Sequence, residues 1–249
     1  MPLRGPFITT TNDNNITTLD KLDYDDSEYI QILYLSDSKD VQTTNSKSII
    51  QCQKYPLYDI NTIQKLNLKI SPKYINNVCK LGKVEILEFL VSSNYPFEYD
   101  KLALYYASIC NQESVLKWWF NSGLELKYSS SAIDDTSGLG YINILQLWKD
   151  SDNYLMYSGA AMTNASRNGC VNVLQWWRDS GLATLYNANV LELASDNNHI
   201  DVLDWWKKSK LPLVYSPHVI DGARKKKYTD VLQWWNYSKL LNCWDINNL

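Results

Sequence analysis

The chain has 249 residues, 45% hydrophobic and 13% aromatic, with a formal net charge of −3. That composition belongs to a folded chain, and its near-neutral balance gives no electrostatic reason to expect nucleic acid or an anionic membrane as the main partner. No run reaches the roughly 18 apolar residues of a membrane span, and "MPLRGPFITTTNDNN" lacks the apolar core of a signal peptide, so a cytoplasmic, intracellular protein is expected.

Residues 1–73 open with polar stretches, "TTTNDNNITT" and "SDSKDVQTTNSKS", too poor in apolar residues to build a core. Between and after them, "YIQILYL" (29–35) and "IIQCQKYPLYDINTIQKLNLKI" (49–70) are apolar enough to fold. They are expected to form a capping unit that covers the terminal apolar face of whatever follows. The alternative is a small helical adaptor, through which residues 29–70 would recruit a ubiquitin ligase.

From residue 74 onward one phrase recurs. "VLKWWFNSGL" starts at Val115, "VLQWWRDSGL" at Val173, "VLDWWKKSKL" at Val202 and "VLQWWNYSKL" at Val231; looser copies start at Ile86 and Ile144. The period is 29 residues without a slip, so the leucine of the phrase falls at Leu87, Leu116, Leu145, Leu174, Leu203 and Leu232. Nine of the ten tryptophans lie in the two following columns, and a tyrosine column (Tyr99, Tyr128, Tyr157, Tyr186, Tyr215) ends on the tenth, Trp244. Self-similarity at this period marks an array of stacked units.

Each unit holds two helical patterns. Val171, Leu174 and Trp177, widened by Val173 and Trp176, give the second helix a broad apolar face. The first, as in "NVLELASDNN" (189–198), carries a small residue at Ala107, Thr136, Ala165, Ala194 and Ala223. Between the helices stand Gly82, Asn111, Gly140, Gly169 and Asn198, types that tolerate a left-handed helix end; Lys227 in the last copy tolerates it less well. Such a unit cannot bury its own apolar face, so copies must stack. The expected fold is all-α: an α-solenoid of six helix–turn–helix units over 74–249, with a short connection in place of any β-hairpin finger.

The tryptophan pairs are expected to pack. Adjacent helix residues point about 100° apart, so one ring can face its partner helix and the other the next unit. A buried large aromatic removes on the order of 150–250 Å² from water. The expected core is Leu116, Trp118, Leu145, Leu174, Trp176, Leu203, Trp205, Leu232 and Trp234. The alternative is a platform of exposed indoles that stacks nucleic acid or glycan.

These residues resemble ankyrin repeats. "ASRNGCVNVLQWW" (165–177) is similar to the family's passage from first helix through turn to second helix, and "LASDNNHIDVLDWW" (193–206) adds His199 at the turn histidine. The units are shorter than the family's roughly 33 residues and lack its Thr-Pro-Leu-His opening. The resemblance implies a non-catalytic protein-interaction scaffold, with the partner met at the loops and the ends of the first helices. Carried over by position, those ends are Ile109 and Cys110, Gly138 and Leu139, Arg167 and Asn168, Asp196 and Asn197, Lys225 and Lys226. They vary from copy to copy, whereas the Leu and Trp columns do not.

Little else points to chemistry. The five cysteines are dispersed without a CxxC pair, which argues against a disulfide framework or a structural zinc site. His199 is explained by a structural role in its turn and His218 by a solvated helix start. "DYDDSE" (23–28) and "IDD" (133–135) are expected at the solvated surface, and nine glycines form no phosphate-cradling pattern. The run Arg224–Lys227 complements the C-terminal end of a first helix. The expectation is therefore a monomer that is not an enzyme, takes no cofactor or metal, and binds another protein.

Overall fold

The computed structural model describes residues 7–10, 28–36, 48–215 and 217–241. The polar stretches 9–18 and 36–48 lie outside them except for Thr9, Thr10, Ser36 and Ser48, and so does the Trp244 position. The described residues are mostly helical, with thirteen α-helices and three strands, and the chain divides into two compact units, 1–106 and 107–249.

The first unit departs from the all-α expectation. Strands β1 (Phe7–Thr10), β2 (Tyr29–Ser36) and β3 (Ser48–Pro56) form one sheet in that order, with β1 parallel to β2 and β2 antiparallel to β3. The apolar run at 29–36 alternates with a period of two, burying Ile30 and Ile32 while Tyr29 stays exposed, and its β-branched residues suit a pleated surface. The adaptor expected as the alternative for 29–70 was helical, and here 29–36 and 48–56 are strands. Helix α1 (Ile60–Leu66) follows, capped by Asp59, whose carboxylate accepts from the Thr62 amide at 2.9 Å. Helix α2 (Pro72–Lys80) starts behind the Ser71 cap, and Tyr74 donates to the Leu57 carbonyl at 2.9 Å. Helix α3 (Val84–Ser92) buries Ile86, Leu87 and Leu90.

Helix α4 (Leu102–Ile109) spans the division between the units, and α5 (Glu113–Asn121) completes its pair. Three pairs follow: α6 (Ser131–Leu139) with α7 (Ile142–Lys149), α8 (Ala160–Arg167) with α9 (Val171–Asp179), and α10 (Val190–Asp196) with α11 (Ile200–Ser209). The last is α12 (Asp221–Lys225), entered through the 3-10 turn Pro217–Ile220, with α13 (Thr229–Ser238).

The pairs place their tryptophans in the same way, although α7 carries only Trp148, with Leu147 in the first position. The second ring, at Trp119, Trp148, Trp177, Trp206 and Trp235, is wholly buried. The first is half-buried at Trp118, Trp176 and Trp234 and is buried, though still 8% exposed, at Trp205. This corrects the expected core: Leu116, Leu145, Leu174 and Leu203 are buried as expected, but Leu232 is half-buried and the second tryptophan, not the first, fills the centre.

A buried indole N–H needs an acceptor, and those of Trp148, Trp177, Trp206 and Trp235 find it one pair back. Trp148 donates to Ser108 at 2.9 Å, Trp177 to Ser137 at 3.1 Å, Trp206 to Ser166 at 2.8 Å and Trp235 to Ser195 at 2.8 Å. The serines pass their own protons on: Ser137 to the Ile133 carbonyl at 2.9 Å and Ser166 to that of Met162 at 2.8 Å. The outer rings make a parallel series, Trp176 to Gln146 at 2.9 Å, Trp205 to Gln175 at 2.8 Å and Trp234 to Asp204 at 2.7 Å. Within a pair the two rings meet edge to face, with Trp176 and Trp177 5.1 Å apart at 81°.

The tyrosine column works across the connections. Tyr157 lies 4.6 Å from the Trp177 ring, and its hydroxyl donates to the Ala183 carbonyl at 3.1 Å. Tyr128 reaches the Tyr154 carbonyl and Tyr186 that of Pro212, both at 2.6 Å, and burial pushes both phenols up.

The turn column is left-handed throughout, from Gly82 (φ 73°) and Asn111 (57°) to Asn198 (61°) and Lys227 (60°). A second left-handed column ends the second helices: Asn94, Gly123, Asp152, Gly181, Lys210 and Lys239, with φ from 51° to 77°. Lysine has a Cβ to accommodate there, at a cost of about 1 kcal/mol.

Two outcomes test this packing in chemical denaturation. Trp177→Ala costs about 3–5 kcal/mol, and Trp176→Ala costs less; equal losses would contradict the assignment of inner and outer rings. Lys227→Gly raises stability by about 1 kcal/mol; an unchanged or lowered midpoint would contradict the strain at that turn.

Candidate interaction surface

The first-helix ends of α6, α8, α10 and α12 occupy one register, and neighbouring members touch. Asn168 donates from Nδ2 to the Gly138 carbonyl at 2.8 Å, and Lys226 from Nζ to the Asp196 carbonyl at 2.6 Å. Gly138 permits that approach, since a Cβ there would stand 2.9 Å from the Asn164 Cβ. Leu139, Arg167, Asn168, Asn197, Lys225 and Lys226 are exposed, whereas Ile109, Cys110 and Asp196 are half-buried and Gly138 is buried. Asn168 and Lys226 thus serve partly as ties between pairs. Arg167, Asn197, Lys225 and Leu139 have the exposure a partner requires.

The remaining polar residues are mostly structural. Asp134 was expected at the solvated surface, yet it is buried; its carboxylate accepts from the Ser158 amide and hydroxyl, both at 2.8 Å, and so holds the start of α8. In the next pair Thr163 does the same, accepting from the Asn187 amide at 3.1 Å. The His199 ring packs over Gly169, where a Cβ would come within 2.8 Å of it. His218 is exposed and pairs with Asp221 at 2.9 Å, and Arg224 reaches the same carboxylate at 3.1 Å.

Two carboxyls are shifted. Asn143 donates to Glu113 at 2.6 Å and, with Lys117, holds its carboxyl below the usual range. Trp234 does the same for Asp204, aided by Lys208. Cys79 is a buried thiol and Cys110 and Cys170 are half-buried thiols, none of them in a disulfide, and burial pushes the Cys170 thiol up; the side chains of Cys52 and Cys243 lie outside the described residues. Among the described residues no group of three or more His, Cys, Asp or Glu is placed to hold a metal ion, and no helix is long and apolar enough to cross a membrane.

Three features are not evident from the sequence pattern alone, although each keeps the 29-residue period. The serine column (Ser108, Ser137, Ser166, Ser195) and the acceptor column (Gln146, Gln175, Asp204) are legible as repeats, but their role needs the indoles placed. The third is an exposed apolar column on the connections, Met156, Leu185 and Val214. No protein-family model matches the chain, and comparison with curated proteins gives no match.

The lowered Asp204 carboxyl has a pH consequence. Its ionised form contributes stability that is present above the ordinary carboxylate pKa of about 4 and is lost as pH falls through the lower folded value. Asp204→Asn keeps an oxygen acceptor for Trp234 without the charge, so its stability falls less steeply than that of the wild type below about pH 4. Superimposable acid limbs in pH-dependent denaturation would contradict this.

Proposed function

We propose that the chain is a non-catalytic protein-interaction scaffold, a solenoid of short ankyrin-like units that presents the first-helix ends to another protein. The observation that carries the reading is the contrast between inward and outward positions of the same unit. Inward, leucine, tryptophan and serine return copy after copy, and the tryptophans and serines are bonded to one another. Outward, the helix ends read Leu139, Arg167 and Asn168, Asn197, then Lys225 and Lys226, a sequence free to vary for recognition. A framework tied at this many points loses little conformational entropy when a partner binds.

The indoles favour this reading over a nucleic-acid or glycan platform. Five of them are wholly buried, four with N–H groups engaged by serines, so those rings offer no open face for stacking. The strands at 29–36 and 48–56 weigh against a helical ligase adaptor. The thiols of Cys79, Cys110 and Cys170, none in a disulfide, suit the reducing cytoplasm, where we place the protein.

The test is affinity capture from lysate of the native source with the full chain and with a triple variant, Arg167→Ala, Asn197→Ala and Lys225→Ala. The expected result is a partner retained by the wild type and lost from the variant, with unfolding midpoints that agree. Equal retention by both would contradict the assigned face.

A further inference from the structure

The left-handed turn between the helices of each pair is regular in its hydrogen bonding except at one position. The amides of Gly82, Asn111, Gly140, Asn198 and Lys227 each donate to the carbonyl three residues back, at 3.0 to 3.3 Å. Gly169 is the exception: among the described residues its N–H makes no hydrogen bond. It follows Asn168, and Asn168 is the one asparagine in the chain with glycine next to it.

That pair can react with itself. The nitrogen of Gly169 attacks Cγ of Asn168 and closes a succinimide; the N–H proton goes to solvent, and Nδ2 takes up a proton and leaves as ammonia. Water then opens the ring at either carbonyl, giving aspartate or, with the main chain rerouted through Cγ, isoaspartate. A side chain on the following residue obstructs the attack, and a hydrogen bond on its amide withholds the proton. Gly169 has neither, and Asn168 is exposed to the water that the second step needs. Glycine is held at 169 by its φ of 77° and by His199, whose ring leaves no room for a Cβ. Asn168 itself has ψ 8°, and its Nδ2 is bonded to the Gly138 carbonyl at 2.8 Å. Ring closure therefore waits for that bond to open, and the fold sets the rate.

The product changes the packing. An ionised carboxylate only accepts, so an oxygen replaces the donor that faces the Gly138 carbonyl, and the tie between α6 and α8 is lost. Isoaspartate also adds a carbon to the main chain of a turn closed by Cys170 N to Ala165 O at 2.9 Å and Val171 N to Gly169 O at 3.0 Å. Either product sets a new negative charge next to Arg167, among the first-helix ends.

We propose that Asn168 and Gly169 form a site of spontaneous deamidation that unties α8 from α6 and alters the charge of the first-helix ends. Its effect on a partner rests on the scaffold reading; the modification itself does not.

The test is incubation of the full chain at mildly alkaline pH, with each asparagine followed by peptide mass spectrometry. Isoaspartate is counted by isoaspartyl methyltransferase with labelled S-adenosylmethionine. Asn168 is expected to convert before the other asparagines of residues 48–241, to both products, and more slowly than in a free peptide of residues 164–173. Asn168 left intact while others convert, or unchanged when the free peptide has reacted fully, would overturn the site. Conversion as fast as in the peptide would overturn the control by the fold. Asn168→Asp is expected to lower the unfolding midpoint more than Asn168→Ala does; a midpoint equal to that of the wild type would overturn the untying. In affinity capture Asn168→Asp is expected to lose a partner that the wild type retains. Equal retention would remove the effect on binding, and a wild type that captures nothing would count against the scaffold reading; the site, read by mass, stands apart from both.

Discussion

A buried indole must find an acceptor for its N–H, and the second unit is organised around that requirement. An apolar core alone could be filled by leucine, with no demand on what lies across from it. Tryptophan at the centre of α7, α9, α11 and α13 imposes one: a hydroxyl must stand opposite, and it does so on the first helix of the preceding pair. Serine is small enough to sit in that buried helix and can bond its own carbonyl four residues back, so the interior stays satisfied. The sequence offset of 40 residues between donor and acceptor is the same in all four links, which ties spacing to chemistry.

The outer tryptophan extends this logic to the rim. Its hydrogen bond spans 30 residues rather than 40 and ends on glutamine or aspartate, acceptors long enough to reach from the rim. The tyrosine hydroxyls add a third link at the connections. Inner ring, outer ring and tyrosine therefore join successive pairs at three depths. Inserting or deleting one residue within a unit would break all three links together, which gives a physical reason for the constant period.

Much of this is legible in the sequence itself. The period, the two helices of each unit and the turn at Gly140 or Gly169 follow from apolar spacing and from residues that tolerate positive φ. The identity of the inner ring is not legible, because Trp176 and Trp177 are equally apolar letters and only the packing decides between them. Asp134 misleads for a related reason: a carboxylate reads as surface until the backbone that it caps is known. The lysines at 210, 227 and 239 hide left-handed helix ends that glycine would have announced. In the N-terminal unit the alternation at 29–36 does encode a strand. The helical repeat that follows draws the eye toward a helical cap or adaptor. At the first-helix ends, exposure is implicit in the variation between copies, while the ties made by Asn168 and Lys226 are not.

The most direct measurement is hydrogen exchange of the indole N–H protons in full-length protein carrying ¹⁵N-labelled tryptophan. If the serine links hold the pairs together, the protons of Trp148, Trp177, Trp206 and Trp235 exchange far more slowly than those of Trp176, Trp205 and Trp234. Ser137→Ala then accelerates Trp177 in particular. Exchange of the inner protons as fast as that of the outer ones would contradict the account.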